Sequence, residues 1–366
     1  MNGKHARTLF FDATIFEIPL TGVGKTTLFL YEACNKIMPE ISFVGFHKGN
    51  LKNSYPRFLK FVQADNACWR KENLQNLVPN LGLAIAHFPW NGPVPFSMKI
   101  PVAMTLHDVL PLEISGYFGR NPLRRWAFTH RTQQNISRCN TIFTDSDYSK
   151  KMILTKFRVK REPVVNYFGA TLEIPENSKR GNSNNSNFFV YVGGYDPRKG
   201  IMPMLKTFIE LRVQKRIESR LIMTGSPNYF SDELRKLLIQ SEKAGFVEQR
   251  GYVSDSELVD LYLNARGLIY LSKYEGFGLP PLEAMHVGCP VVTTMGTSLP
   301  EVCGDAVLYV DPDVNQQVAN AIEALEKSQG LRSLLVEKGI KQARKFSWEK
   351  CASIFLSTTE AIEKKR

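Results

Sequence analysis

Residues 274–285 read Tyr274-Glu275-Gly276-Phe277-Gly278-Leu279-Pro280-Pro281-Leu282-Glu283-Ala284-Met285, and the neighbours on either side decide what this string does. Upstream, Gly267-Leu268-Ile269-Tyr270-Leu271-Ser272 is a short apolar run that predicts a buried strand. Downstream, Pro280-Pro281 suits the first turn of a helix, where a missing N–H costs nothing. Gly288 is a left-handed stop, and Pro290-Val291-Val292-Thr293-Thr294 predicts the next strand. Glu275 therefore stands at a strand's carboxyl end and Glu283 in the early turns of the following helix. Gly276 and Gly278 leave backbone N–H groups approachable beside the helix's positive end, which suits an anion such as a diphosphate. Open α/β sheets hold ligands at strand carboxyl ends, where this loop falls. Two carboxylates would repel a phosphate, so they are better explained as facing neutral sugar or ribose hydroxyls. The plainer alternative, a helix-dipole partner and a loop surface charge, stays open on these residues alone.

With 366 residues the chain can bury two ordinary cores. Six cysteines (Cys34, Cys68, Cys139, Cys289, Cys303, Cys351) show neither C-x-x-C pairing nor metal spacing, which favours a reduced, cytoplasmic setting. No uninterrupted apolar stretch is long enough to span a bilayer. Asp12 and Glu17 interrupt the run that begins at Leu9, so no signal peptide is expected. The net charge of +12 is unevenly placed: residues 1–170 hold 22 Lys+Arg against 11 Asp+Glu, and the remainder 25 against 24. A basic first half predicts an anionic partner, either a membrane surface at the inner face of the plasma membrane or a pyrophosphate-linked acceptor. Nucleic acid is set aside, because no nucleic-acid fold signature accompanies the charge.

Along the chain, Thr8–Phe16 predicts a first strand. Thr21-Gly22-Val23-Gly24-Lys25-Thr26-Thr27 follows, then an amphipathic helix to about Met38. This is not a phosphate loop: the Walker pattern needs glycine where Pro19 stands. The dinucleotide fingerprint fails at Thr27. What remains is a glycine-rich turn, Gly22-Val23-Gly24, with exposed N–H groups at a helix start. Ile41–His47, Leu81–Phe88 and Val102–His107 predict further strands, the last placing His107 and Asp108 at a strand end. Tyr117–Arg138 predicts a helical stretch with Arg120, Arg124, Arg125, Arg131 and Arg138 among Tyr117, Phe118, Trp126 and Phe128. It is either a face for an anionic membrane or core aromatics with solvated arginines.

Asp145-Ser146-Asp147 has the Asp-x-Asp form of metal sites, but it ends the strand Thr141–Thr144 and starts a helix at Tyr148, where capping accounts for it. Asp311-Pro312-Asp313 reads as a post-strand turn. No metal is expected at either. Ser178–Asn187 is polar and without apolar period, a linker, and a domain boundary is expected near Thr171. Strands are then predicted at Phe188–Val192, Arg220–Thr224, Val247–Tyr252, Gly267–Ser272, Pro290–Thr294 and Ala306–Val310. Helical patterns between them imply a parallel sheet wound on both faces. Tyr191 to Gly200 puts Arg198 and Lys199 beside a helix start, where two cations would offset a diphosphate leaving group. Three helical patterns fill Val314 to Lys364.

Glu275 through Glu283 spells a Glu-x7-Glu motif, and EGFGLPPLEAMHVGCPVVTT…GTSLPEVCGDAVLYVDP (Glu275 to Pro312) closely resembles glycosyltransferase family 4. Within that family it is most similar to bacterial mannosyl- and rhamnosyltransferases of surface polysaccharide (O-antigen) assembly. The resemblance implies an α/β protein of the GT-B fold, two Rossmann-like doubly wound domains facing across a cleft. They would be an acceptor domain over 1–171, a linker over 172–187 and a donor domain over 188–345, with a C-terminal helix over 346–366 crossing back to the first domain. It further implies that Glu275 and the Gly276, Phe277, Gly278 and Leu279 amides hold the donor sugar, and that Glu283 holds the ribose. Arg198 and Lys199 match the cations of the G-x-x-x-P-R-K motif that begins at Gly193, although many members carry Arg where this chain has Gly194. Tyr252 and Val253 fall in the segment whose backbone reads the base. Gly22, Val23 and Gly24 match a loop that approaches the donor phosphates or the acceptor. His107 matches a histidine near the donor sugar that can hydrogen-bond it, and Asp108 would orient the loop or the imidazole. Ser146-Asp147-Tyr148-Ser149-Lys150 resembles the family's non-metal S-x-x-S-K segment.

The expectation is a retaining, metal-independent glycosyltransferase with no cofactor beyond a nucleotide-diphospho-sugar co-substrate. It would move a hexose, GDP-mannose being favoured over UDP- or dTDP-sugars, to a glycan or polyprenyl-pyrophosphate-linked acceptor. A sugar-nucleotide epimerase or hydrolase of the same fold, or a non-catalytic nucleotide-sugar-binding protein, are the alternatives.

Overall fold

The computed structural model describes residues 7–18, 22–63, 84–95, 98, 100–119, 121–176, 187–226 and 231–364. The chain divides into two units, Met1–Phe168 together with Ser347–Arg366, and Gly169–Phe346. The boundary thus falls just before Thr171, and residues 171–176 belong to the second unit; residues 177–186 of the expected linker lie outside the described residues. No helix among the described residues is long and apolar enough to cross a membrane. Cys34, Cys139, Cys289, Cys303 and Cys351 are free thiols.

In the first unit, β1 (Thr8–Asp12), β2 (Ser42–His47), β3 (Leu59–Gln63), β4 (Ala84–Phe88), β5 (Val102–Thr105), β6 (Thr141–Thr144) and β7 (Val164–Val165) form one parallel sheet in the order 3-2-1-4-5-6-7. Its central strands read as unbroken apolar runs because both faces are covered, and Phe10 sits opposite Val44 and Ala86. The helices are α1 (Gly22–Ile37), α2 (Leu110–Glu113), α3 (Pro122–Arg138) and α4 (Asp147–Lys156). The C-terminal helix, Trp348–Glu363, packs here too: Trp348 stacks on Phe168 and lies tilted against Phe29, at 5.5 Å each, and Phe355 lies tilted against His87 at 4.8 Å. Arg7 ties it to the start of β1 through Glu363 (2.9 Å) and Thr359 (2.6 Å).

Three sequence expectations change. The first strand stops at Asp12, whose carboxylate accepts from the Thr14 N–H (3.0 Å) and hydroxyl (2.7 Å) and turns the chain into a 3-10 turn, Thr14–Phe16. The helix expected from Tyr117 begins only at Pro122. Gly116 and Gly119 hold left-handed turns before it, and the Asn121 side chain caps it by accepting from the Leu123 N–H at 3.0 Å. Strands β3 and β7 and the short α2 were outside the sequence reading: β3 is a partly exposed edge run and β7 has two residues.

In the second unit, β8 (Phe188–Val192), β9 (Arg220–Thr224), β10 (Val247–Gly251), β11 (Leu268–Tyr270), β12 (Val291–Thr294) and β13 (Leu308–Val310) form a parallel sheet in the order 10-9-8-11-12-13. All six expected strands are present, β8 and β9 with the expected bounds and the other four trimmed at their ends. Helices α5 (Ile201–Val213), α6 (Asp232–Lys243), α7 (Asp255–Asn264), α8 (Leu279–Val287), α9 (Leu299–Cys303), α10 (Asn315–Lys327) and α11 (Gln329–Ala343) complete the unit. Tyr191, Phe208, Met223, Ile269 and Ile322 anchor its core.

Strand order reverses between β8 and β11, so the loops leaving these two strands meet at the switch point where α/β sheets take their ligands. Gly200, at φ 65°, makes that meeting close: a Cβ there would collide with the Leu271 carbonyl oxygen and stand 3.0 Å from the Leu271 Cβ. Gly200→Ala is therefore expected to cost roughly 2–4 kcal/mol, the sum of left-handed strain and overpacking. Urea unfolding should show it as a lower midpoint; an unshifted midpoint would mean the contact relaxes freely.

Candidate active site

The loop after β8 is shaped by Asp196, whose side chain accepts from the Arg198 N–H (3.0 Å) and caps the 3-10 turn Pro197–Lys199. That turn aims two cations at the loop after β11. Arg198 Nη1 donates to the Tyr274 carbonyl (2.8 Å) and to Glu275 Oε1 (3.3 Å). Lys199 Nζ donates to the same Oε1 (2.5 Å) and to the Tyr270 hydroxyl (2.6 Å), which itself donates to Oε1 (2.7 Å). One carboxylate oxygen thus gathers two cations and a phenol, with Lys199 and Glu275 each only 9% exposed. Burial by itself would raise the Glu275 pKa, but the charges of Lys199 and Arg198 outweigh it and hold the group below the usual carboxylate range. Burial also pulls the Lys199 pKa down, against Glu275. The Glu275 direction governs the pair, because three donors on one oxygen favour the ionised carboxylate and so the ammonium facing it. Sequence reasoning set the cations on a diphosphate and Glu275 on sugar hydroxyls. The structure instead joins all three to one another, and adds Tyr270, which the sequence reading took only as a strand residue.

The remainder of the loop is fixed from below. Thr297, a non-glycine residue at φ 58°, accepts from the Glu275 N–H (3.1 Å), and the Ser298 hydroxyl donates to the carbonyls of Glu275 (3.0 Å) and Phe277 (2.8 Å). Gly276 lies between these anchored residues. Phe277 is buried against Phe346, edge to face with 6.0 Å between centroids. Gly278, at φ 108°, caps α8 ahead of Leu279, and a Cβ there would press on Leu299 at 2.8 Å. Gly288 ends the same helix at φ 89°. Glu283 is buried and accepts a hydrogen bond from the Thr171 hydroxyl, a partner far away in sequence that spacing could not reveal. Glu275, buried as well, is not the loop surface charge of the plainer alternative.

Elsewhere at the carboxyl end of this sheet, Gly193 (φ 144°) donates to the Thr224 carbonyl at 3.3 Å, and the Gly194 carbonyl accepts from the Tyr191 hydroxyl at 2.8 Å. After β10, Tyr252 is 83% exposed and Val253 half-buried, just before Ser254 caps α7 in a capping box with Glu257. Asp311 and Asp313 form the expected turn, with Asp311 accepting from the Asp313 N–H (2.9 Å) and Asp313 paired to Lys273 (2.6 Å).

In the first unit, His107 and Asp145 follow the neighbouring strands β5 and β6 and meet: Nδ1 stands 2.7 Å from Asp145 Oδ2, and Nε2 stands 2.8 Å from the Pro89 carbonyl. A carbonyl and a carboxylate are both acceptors, so both ring nitrogens carry protons. Burial pulls the imidazole pKa down, but Asp145, the Pro89 carbonyl and Asp108 together push it up to about 9. Burial raises the Asp145 pKa despite His107. Both nitrogens are thus engaged within the unit. The imidazole's partner is Asp145, which the sequence reading assigned to capping; the cap is Ser146, accepting from the Ser149 N–H at 3.0 Å. Asp108 holds its own loop through the Leu110 N–H at 2.9 Å. Gly22, Val23 and Gly24 form the first turn of α1 itself, where the Val23 carbonyl accepts from the Thr26 and Thr27 hydroxyls at 3.0 and 2.8 Å. Among the described residues no cluster of three His, Cys, Asp or Glu side chains suits a metal ion.

Three outcomes follow from this geometry. Lys199→Ala is expected to weaken nucleoside-diphosphate binding roughly ten- to hundred-fold, the worth of a lost charged hydrogen bond, and Glu283→Ala to weaken nucleotide binding as well. Unchanged affinity in titration calorimetry would count against each role. His107 titrates higher folded than the ordinary value of 6.5, so its stabilising contribution is whole below pH 6.5 and is lost as pH rises toward about 9. Wild-type stability minus that of His107→Gln, followed by urea unfolding across that window, should shrink as pH rises; a constant difference would reject the buried imidazolium.

Residues 173–342 match the family described as Glycosyl transferases group 1. The chain is 32% identical over 259 residues to the O-antigen chain mannosyltransferase B of Escherichia coli, spanning 68% of this chain and 67% of that one. It is 27% identical over 224 residues to the O-antigen chain mannosyltransferase RfbU of Salmonella typhimurium, spanning 61% and 60%. These matches cover about two thirds or less of the relatives' own length. In fold, sucrose-phosphate synthase from Thermosynechococcus elongatus superposes with a TM-score of 0.75 at 16% identity, covering 98% of this chain and 100% of that one. With two parallel Rossmann-like sheets of the GT-B kind and the Glu275–Glu283 motif inside the matched region, the chain belongs to the group 1 glycosyl transferases and is a glycosyltransferase.

Proposed function

We propose that this enzyme moves mannose from GDP-mannose to a glycan carried on a lipid pyrophosphate, with retention at the anomeric carbon and without a metal ion. The observation that carries the reading is the buried cluster of Arg198, Lys199, Tyr270 and Glu275 at the β8/β11 switch point. A diphosphate competes with the Glu275 carboxylate for the two cations. As they turn to it, the negative charge that develops on the departing nucleoside diphosphate is already offset, which is the part a metal plays elsewhere. Glu275 is then released toward the sugar hydroxyls, while Glu283 accepts from the ribose and the Gly276–Leu279 amides line the loop. Mannose is favoured because both relatives are named as mannosyltransferases. Retention is taken from the resemblance to glycosyltransferase family 4. A pyrophosphate-linked acceptor suits the basic first half of the chain.

The test offers the enzyme GDP-mannose, UDP-glucose or dTDP-rhamnose, each with and without lipid-linked glycan and with and without a chelator. Release of GDP that requires the acceptor and ignores the chelator is the expected result. Release without acceptor would replace the reading by a hydrolase, an epimerised sugar nucleotide by an epimerase, and binding without turnover by a non-catalytic protein.

A further inference from the structure

The first two turns of α3 are uncovered. Asn121 through Ala127 are exposed without a break, and among them Leu123 is 72% and Trp126 64% exposed. Leu123, Trp126 and His130 follow at helical spacing and share one stripe, opposite the stripe of Phe128, Thr132, Asn135 and Ile136 that is turned toward the core. Trp126 lies flat on His130, with centroids 5.1 Å apart and planes within 8°, so the indole stays on the outer stripe. Just before the helix, Tyr117 is 52% exposed and stands edge-on to Phe118 at 5.3 Å.

The charges around this stripe are all of one sign. Arg124 and Arg131 stand together on one side of it, each exposed and in no ion pair among the described residues, while Arg125, seven residues before Thr132, is on the core-facing side and reaches the Leu112 carbonyl at 3.5 Å. From Ile114 to Thr144 the sequence contains five arginines and no aspartate or glutamate. A helix face that serves only for solubility mixes both signs and keeps Leu and Trp off its surface. An aliphatic and an indole side chain in a purely cationic surround instead match a bilayer interface, which offers an apolar boundary directly beneath a layer of phosphates. A second copy of the same face would bring arginine against arginine. A nucleic acid would give the exposed leucine nothing to bury.

We propose that this face of α3 docks on an anionic phospholipid bilayer, with Leu123 and Trp126 entering the headgroup–acyl boundary and Arg124 and Arg131 meeting lipid phosphates. The proposal needs no sugar nucleotide and stands apart from the reading of the donor.

The experiment uses the full chain with unilamellar vesicles of phosphatidylcholine alone and of phosphatidylcholine mixed with phosphatidylglycerol, read by flotation at low and high salt. Binding is expected on the phosphatidylglycerol vesicles, weakened by salt, with a blue shift of tryptophan emission that is lost in the doubly substituted Leu123→Ser, Trp126→Ser protein. Arg124→Gln and Arg131→Gln together should lower partitioning about 30-fold. Far-ultraviolet dichroism and the melting midpoint should match wild type in both variants, since the residues changed are exposed. The proposal is overturned by equal binding to both vesicle types, by no binding, or by normally folded variants that bind like wild type. It is overturned equally by light scattering that shows a dimer abolished by the Leu123 and Trp126 substitutions, or by vesicle-independent binding of a single-stranded oligonucleotide.

Discussion

Everything at the switch point of the second unit depends on one oxygen atom. Glu275 Oε1 is held by Lys199, Arg198 and Tyr270 together, and all four groups come from the ends of β8 and β11 or the loops that leave them. Such an arrangement demands that two loops approach within backbone contact, and Gly200 against the Leu271 carbonyl supplies that approach. It also demands that Glu275 not swing free. The Thr297 and Ser298 hydroxyls, on the loop after β12, fix its N–H and carbonyl. Three consecutive elements of the central sheet therefore cooperate to place a single carboxylate.

The first unit solves a similar problem with different residues. His107 and Asp145 leave adjacent strands, β5 and β6, and meet one or two residues beyond their ends. The Pro89 carbonyl, just after β4, takes the second ring nitrogen. In both units a buried charge is held by groups contributed from successive strand ends of a parallel sheet. The fold makes this easy, because all strands point the same way and every loop of one kind emerges at one edge.

The second unit was almost fully legible in the sequence. Its strands, β10 apart, are short runs rich in apolar residues, and the Pro280-Pro281 start and Gly288 stop of α8 are local signals that need no tertiary knowledge. The first unit was less so. The end of β1 is set by the Asp12 side chain turning back on Thr14, and β3 and β7 owe their existence to neighbouring strands more than to their own composition. Site residues divided along the same line. Arg198, Lys199, Glu275 and Glu283 stand in a motif and could be named. Tyr270, Thr171 and Asp145 act through contacts 5, 112 and 38 residues away. Tyr270 looks like any strand residue, Thr171 like a linker, and Asp145 like a helix cap. No periodicity distinguishes a core tyrosine from one whose hydroxyl finishes an ion cluster.

A buried ion pair is a poor way to stabilise a protein, because desolvating both charges costs about as much as their attraction returns. Well-packed apolar residues would serve stability better at Lys199, Tyr270 and Glu275, all of which lie in or beside the core of the second unit. On the proposed reading the charges have other work. An ammonium and a guanidinium that share a carboxylate already sit in a dry, preformed anion site, and a stronger anion can take them over with little reorganisation. The carboxylate so displaced keeps its backbone anchors and changes only its side-chain partners. On the proposed reading the same cluster is stable without a donor and complementary to the charge that builds up as the donor breaks, the two states differing by an exchange of partners and not by a rebuilding of the loop.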